Sequence, residues 1–230
     1  MQAAEQSDEL PTRTRLKIWA AILFVFVGLP VSLFLWMTSV PGQSYSGASP
    51  PPTHARQILA ARLRADVTAI ASEPHNLGHQ SALLRSAAYI EQQLRQTGYD
   101  VRTQEVLPPA RNLEVVIEPR DRKAPTLIIG AHYDSFMYAP GANDNGSGTA
   151  ALLELARSLK PYDGKLAKRL RLIFFVNEEP PYFKSNAMGS KAAADRLDAS
   201  GEAIEGMISL ETMGYFSDVA GSQHYPFPLS

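Results

Sequence analysis

Hydrophobic and polar positions divide the chain into three stretches with different periodicities. From Ile18 to Val40 it reads IWAAILFVFVGLPVSLFLWMTSV, with no charged residue and no polar face. About 20 apolar residues suffice to cross the hydrocarbon of a bilayer, so residues 18–40 are predicted to form a transmembrane signal anchor. A cleaved signal peptide has an apolar region of only about 7–15 residues, shorter than this run. Trp19 and Trp36, the only tryptophans, sit near its two ends, where amphipathic rings favour the membrane interface. Arg13, Arg15 and Lys17 precede the run, and the next basic residue is Arg56. The positive-inside bias therefore predicts a cytoplasmic segment 1–17 and an extracytoplasmic remainder.

Residues 41–53, PGQSYSGASPPPT, carry no charge and read as a linker that is semi-rigid around Pro50 to Pro52. Helical spacing then returns in residues 55–72 through Ile58, Leu59, Leu63, Val67 and Ile70. It recurs in residues 81–98, where Leu83, Ala87, Ile90 and Leu94 form one stripe and Gly98 stands where a helix stops. Short strand-like runs follow at 100–107, 112–119 and 125–133, then a helix at 145–159. The run RLRLIFFVNEE at 169–179 is nearly continuous in apolar residues, as for a strand buried on both faces. A helix at 185–199 and a strand at 205–214 complete the pattern. Strands alternating with helices predict an α/β domain over 54–230, with a mixed, largely parallel sheet between helices.

Composition narrows the chemistry. The 230 residues carry 22 basic and 23 acidic side chains, a net charge of −1, so no basic surface for nucleic acid is expected. There is no cysteine, which removes disulfides, thiolate metal ligands and cysteine nucleophiles together. What remains is a set of histidine and carboxylates at strand ends. In open α/β sheets, ligands gather at the carboxyl ends of strands. His132 and Asp134 follow the run ending near Gly130, Glu178 and Glu179 follow the run ending at Val176, and Glu211 follows Leu210. Between them lies GANDNGSG, where Asp144 stands among glycines that let backbone approach a ligand closely.

Nitrogen and oxygen donors without sulfur suit zinc, or manganese-like ions where carboxylate dominates. Two such ions about 3.5–4 Å apart serve many hydrolases, and Asp144 is the candidate bridge between them. Asp134, two residues past His132, is placed to accept a hydrogen bond from the imidazole and orient it. Strand alternation would separate Glu178 from Glu179, so the pair is expected to divide the work. Glu179 would bind metal, and Glu178 would carry a proton between water and the leaving amine.

The segments GAHYDS, GANDNGSG, NEEPPYF, MGS and SLETMGYFSDVAGSQHYPFPL resemble the M28 family of metallopeptidases, in particular its membrane-anchored bacterial members. The resemblance runs from about Arg111 to the end of the chain. It implies a zinc exopeptidase-like fold and a di-zinc site that removes N-terminal residues from peptides. By position, His132 and Glu211 would hold one zinc, Asp144 would bridge, and Glu179 would hold the other. Glu178 would be the general base, Asp134 the partner of His132, and Asp144–Asn145 a cis peptide. The family's last ligand is a histidine several tens of residues beyond the position of Glu211, whereas the sequence ends at Ser230. The domain is accordingly expected to be incomplete at its C-terminus.

Two other functions stay open on these residues: a glutaminyl cyclase-like acyltransferase, which typically uses one zinc, and a non-catalytic binding domain. His224, in a proline-rich segment, is the available substitute for the absent ligand, although the family does not use that position. His54, His75 and His79 read as surface or packing residues. GANDNGSG lacks the Gly-Lys-Ser/Thr ending of a phosphate-binding loop.

Overall fold

The computed structural model describes residues 11–39, 50–215, 217 and 219. They fall into two units, Met1–Pro51 and Pro52–Ser230. In the first, helix α1 runs from Thr12 to Thr38, with a mean hydropathy of 2.5 in its most apolar window and nothing buried. At 1.5 Å per residue its 27 residues extend about 40 Å, enough to cross a bilayer core of about 30 Å. The helix begins ahead of the apolar run because Arg13, Arg15 and Lys17 are good helix formers with no breaker after Pro11.

The second unit opens with α2 (His54–Ile70), whose N-cap Thr53 accepts the Arg56 amide at 3.3 Å. Helix α3 (Gln80–Gln96) buries Leu83, Ala87, Ile90 and Leu94, the predicted stripe. It ends as its sequence indicates. Gly98 takes φ 88°, its amide meets the Arg95 carbonyl, and the Tyr99 amide reaches the Leu94 carbonyl. This pair of bonds is a Schellman stop.

Five strands follow: β1 (Arg102–Leu107), β2 (Ala110–Ile117), β3 (Thr126–His132), β4 (Arg169–Phe175) and β5 (Ile204–Ser209). Their order in the sheet is β1-β2-β4-β3-β5. β3 pairs in parallel with β4 and with β5, while the β1–β2 hairpin and the β2–β4 pairing are antiparallel. The sheet is therefore mixed, and its parallel half carries the strand ends of interest.

Helices α2, α3 and α4 (Gly148–Leu159) cover one face. Leu172, Phe174 and Val176 lie in that larger core, whereas Ile173 and Phe175 join Ile128, Ala193 and Leu197 on the face covered by α5 (Gly189–Ser200). Strand β4 is thus buried on both faces, as its apolar run predicts. Within it, Arg171 is buried but paired, with Glu114 and Glu202.

Of the elements that stop or start away from their predicted bounds, three do so for a local reason beside the candidate residues. β4 ends at Phe175 because Asn177 turns left-handed at φ 57°. α4 starts at Gly148 because Asp144 and Asn145 take non-helical backbone angles. β5 ends at Ser209, and the following residues fold back over the Asp144 turn. There the Leu210 carbonyl accepts from Asn145 Nδ2 at 2.8 Å, and the Met213 amide donates to Ser147 Oγ at 2.9 Å.

Candidate metal centre

Because β4, β3 and β5 run parallel, their carboxyl ends open on one edge, and the candidate residues meet there. His132 is the last residue of β3 and is 3% exposed. Its Nδ1–H donates to the Asp134 main-chain carbonyl at 3.1 Å, with the Asp134 carboxylate 3.5 Å away. Its Nε2 faces Asp144 Oδ1 at 3.1 Å, Glu211 Oε1 at 3.2 Å and Glu178 Oε2 at 3.8 Å. Asp144 arrives on the turn before α4, whose peptide to Asn145 is cis. Glu211 arrives from the loop after β5, and Glu178 and Glu179 from the loop after β4.

Two clusters of three result, His132–Asp144–Glu211 and His132–Glu178–Glu179, each with its donor atoms within 4.8 Å of one another. The first is the set expected around one zinc. The second differs from expectation in holding both adjacent glutamates near His132. They lie beyond the end of β4, so strand alternation does not force them apart.

Asp134 has a further task that its sequence position did not suggest. Its carboxylate accepts the Glu178 amide at 3.1 Å and the Glu179 amide at 3.2 Å. These are tighter contacts than the one it makes to the imidazole. The buried acid thereby fastens the loop after β4 to the end of β3.

Electrostatics shows what the arrangement suits. Five carboxylates, those of Asp134, Asp144, Glu178, Glu179 and Glu211, surround one imidazole. Burial alone would lower the pKa of His132, but hydrogen bonding and charge from Asp134 and Glu211 push it up to about 11. Burial raises Asp144 and Glu178, and burial with the neighbouring Asp144 charge pushes Glu179 up to about 7. Glu211 is lowered by its bond to His132. With Nδ1–H committed to a carbonyl, a neutral His132 presents the Nε2 lone pair to carboxylate lone pairs. Only a cation satisfies all of these donors together, either a proton on the ring or a metal ion. The residues therefore fit a divalent ion bound through nitrogen and oxygen.

Of the other histidines, His54 is exposed at the start of α2. His75 is buried, its Nδ1 meeting the Glu73 carbonyl at 2.9 Å, and desolvation lowers its pKa. His79 packs edge-on against Tyr138 with ring centroids 5.7 Å apart. His224 lies outside the described residues. A pocket of about 300 Å³ adjoins Asp134 and Glu179, and Asn76, His79, Tyr138 and Tyr182 contribute to its wall. Sequence reasoning missed this wall. Its only trace was the polar break PHNLGH between two helices, which by itself suits any turn.

Comparison with known proteins bears on the family and the fold. The profile of Peptidase family M28 matches residues 112–225. The uncharacterized protein YfbL of Escherichia coli (strain K12) is 36% identical over 220 residues, covering 90% of this chain and 63% of YfbL. Aminopeptidase YwaD of Bacillus subtilis (strain 168) is 44% identical over 71 residues, 30% of this chain and 15% of that protein. A Zn-dependent exopeptidase from Parabacteroides distasonis superposes with a TM-score of 0.56 at 23% identity, covering 66% of this chain and 61% of that one. The chain spans less than two thirds of the length of each of these three proteins. The profile and the relatives, with the mixed sheet, support membership of peptidase family M28.

Proposed function

We propose that this protein is a zinc-dependent exopeptidase that removes N-terminal residues from peptides. The observation that carries the reading is the His132 ring, whose Nε2 faces Asp144 and Glu211 at 3.1 and 3.2 Å while its Nδ1–H is committed. His132, Asp144 and Glu211 would hold one zinc, with Asp144 shared and Glu179 serving a second. Zinc bound there supplies Lewis acidity toward a peptide carbonyl and toward water. Asp134 orients His132 and holds the Glu178–Glu179 backbone. Glu178, half-buried beside that group, accepts a proton on its carboxylate and returns it to the leaving amine, as general-base work requires. The apolar helix α1 would anchor the protein, with its basic N-terminal side in the cytoplasm and the catalytic domain outside.

The test compares full-length protein in detergent with His132→Ala and Glu178→Gln, measuring zinc per chain and hydrolysis of unblocked peptides. The expected result is bound zinc that falls in His132→Ala, and hydrolysis lost in Glu178→Gln with zinc retained. Absence of zinc from wild type would sink the metal assignment. Release of ammonia from an N-terminal glutamine without peptide cleavage would select the glutaminyl cyclase-like reading. Bound peptide without turnover would select a non-catalytic binding domain.

A further inference from the structure

The pocket of about 300 Å³ shares Asp134 and Glu179 with the candidate centre, so whatever fills it lies beside the carboxylates. It stands at the lower end of the roughly 300–1,000 Å³ range of small-molecule sites, room for one large side chain and its flanking backbone. Its walls come from three separate segments: the turn Leu77–His79, the loop carrying Met137 and Tyr138, and the residues from Pro180 to Tyr182. Tyr138 is 80% exposed and Met137 55% exposed, so much apolar surface is left uncovered next to buried Asp134 and half-buried Glu179. His79 and Tyr138 meet edge to face at 81°, which leaves ring surface free for a third aromatic group.

One side chain ties the first two of these walls together. Asn76 Nδ2 donates to the Ser135 carbonyl at 2.9 Å and to the Met137 carbonyl at 2.7 Å, and its Oδ1 accepts the Gly78 amide at 2.9 Å. Met137 is held left-handed at φ 41°, and so is Asn177, another lining residue, at φ 57°. Non-glycine residues keep such angles only where surroundings impose them. The pocket is thus a constructed feature rather than a gap between loops.

We propose that this pocket selects an aromatic or long apolar side chain on a residue flanking the peptide bond to be cleaved. His79 and Tyr138 form its recognition wall, and Asn76 is the positioning residue that holds that wall. The inference rests on the peptidase reading above. Proline and tyrosine surfaces and a thioether suit an aromatic ring. In the metal-free protein the carboxylates of Asp134 and Glu179 at the inner side would also disfavour an acidic side chain.

The experiment uses the full chain in detergent with the dipeptides Phe-Ala, Ala-Phe, Ala-Ala and Asp-Ala. Binding is measured by calorimetry without metal, and hydrolysis is measured with zinc. One of the two Phe peptides is expected to bind and react about tenfold better than Ala-Ala, and without metal Asp-Ala is expected to bind worse than either. Which of the two wins identifies the side of the bond the pocket serves. Tyr138→Ala and His79→Ala are expected to cut the Phe-to-Ala preference about fivefold. Asn76→Ala is expected to raise KM for the preferred Phe peptide with little change in kcat. Equal binding and turnover of all four peptides, or a preference unchanged in folded Tyr138→Ala and His79→Ala, would overturn the proposal. Selective binding of Phe peptides without hydrolysis would uphold the pocket and sink the peptidase reading. Hydrolysis without selectivity would do the reverse.

Discussion

Replacing Asp134 by Asn isolates the fastening role of its carboxylate, because the side chain keeps its shape. The carboxylate is buried, 2% exposed, and each of its oxygens accepts one amide, from Glu178 at 3.1 Å and from Glu179 at 3.2 Å. Asparagine offers one carbonyl oxygen and places an NH2 where the second acceptor stood. One buried amide then faces a donor, at a cost of about 1–3 kcal/mol, and the surviving bond loses its charge assistance. Charge effects partly cancel. The substitution relieves repulsion with Glu178 and Glu179 but gives up attraction to His132. A net loss of about 2 kcal/mol follows, which at a urea slope of about 2 kcal/mol/M moves the unfolding midpoint down by about 1 M. The assay is urea unfolding in the presence of a chelator, with amide proton shifts of Glu178 and Glu179 followed by NMR. Both resonances should move upfield as the bonds weaken. A midpoint change below about 0.3 M with unmoved amides would refute the reasoning.

Three further outcomes are expected. Gly148→Ala drives a Cβ into Asn145 Oδ1 and the Leu210 carbonyl. It should cost about 1–3 kcal/mol and weaken zinc binding by moving both Asp144 and Glu211; unaltered zinc affinity would detach this contact from the site. Glu202, hydrogen-bonded by Arg171, has its pKa held down to about 2 from the usual 4.5. A depressed carboxyl stabilises in full above the higher value, and that contribution is lost as pH falls from about 4.5 toward 2. Glu202→Gln should therefore flatten the acid limb of the stability profile, and an unchanged slope would exclude the linkage. Asp66, 2% exposed, accepts from Tyr89 Oη at 2.7 Å and from Arg157 at 2.6 and 3.0 Å. Asp66→Asn leaves the arginine underpaired and should cost about 3 kcal/mol, read by chemical unfolding; a loss under about 1 kcal/mol would show the network to be dispensable.

Local patterning determined the elements of this protein and much of its candidate chemistry. The stripe from Leu83 to Leu94, the Gly98 stop and the two-sided burial of β4 follow from periodicity, because each depends on which face of one element meets the core. His132, Asp134, Glu178, Glu179 and Glu211 were legible as a group because parallel strands must deliver their carboxyl ends to one edge, and Asp144 was legible through the glycines around it. Element bounds near the site were less legible. Asn177 and the Asp144–Asn145 turn adopt angles that propensity alone does not indicate. Tertiary structure alone decided that Glu178 and Glu179 both approach His132, that Asp134 holds their amides, and that Asn76 joins the loop of Tyr138 to the turn of His79. The physical reason is separation along the chain. Asn76 and Met137 are 61 positions apart and Asp134 and Glu179 are 45 apart, so no local pattern encodes the hydrogen bonds between them. They exist only because the sheet and its helices bring three loops to the same edge.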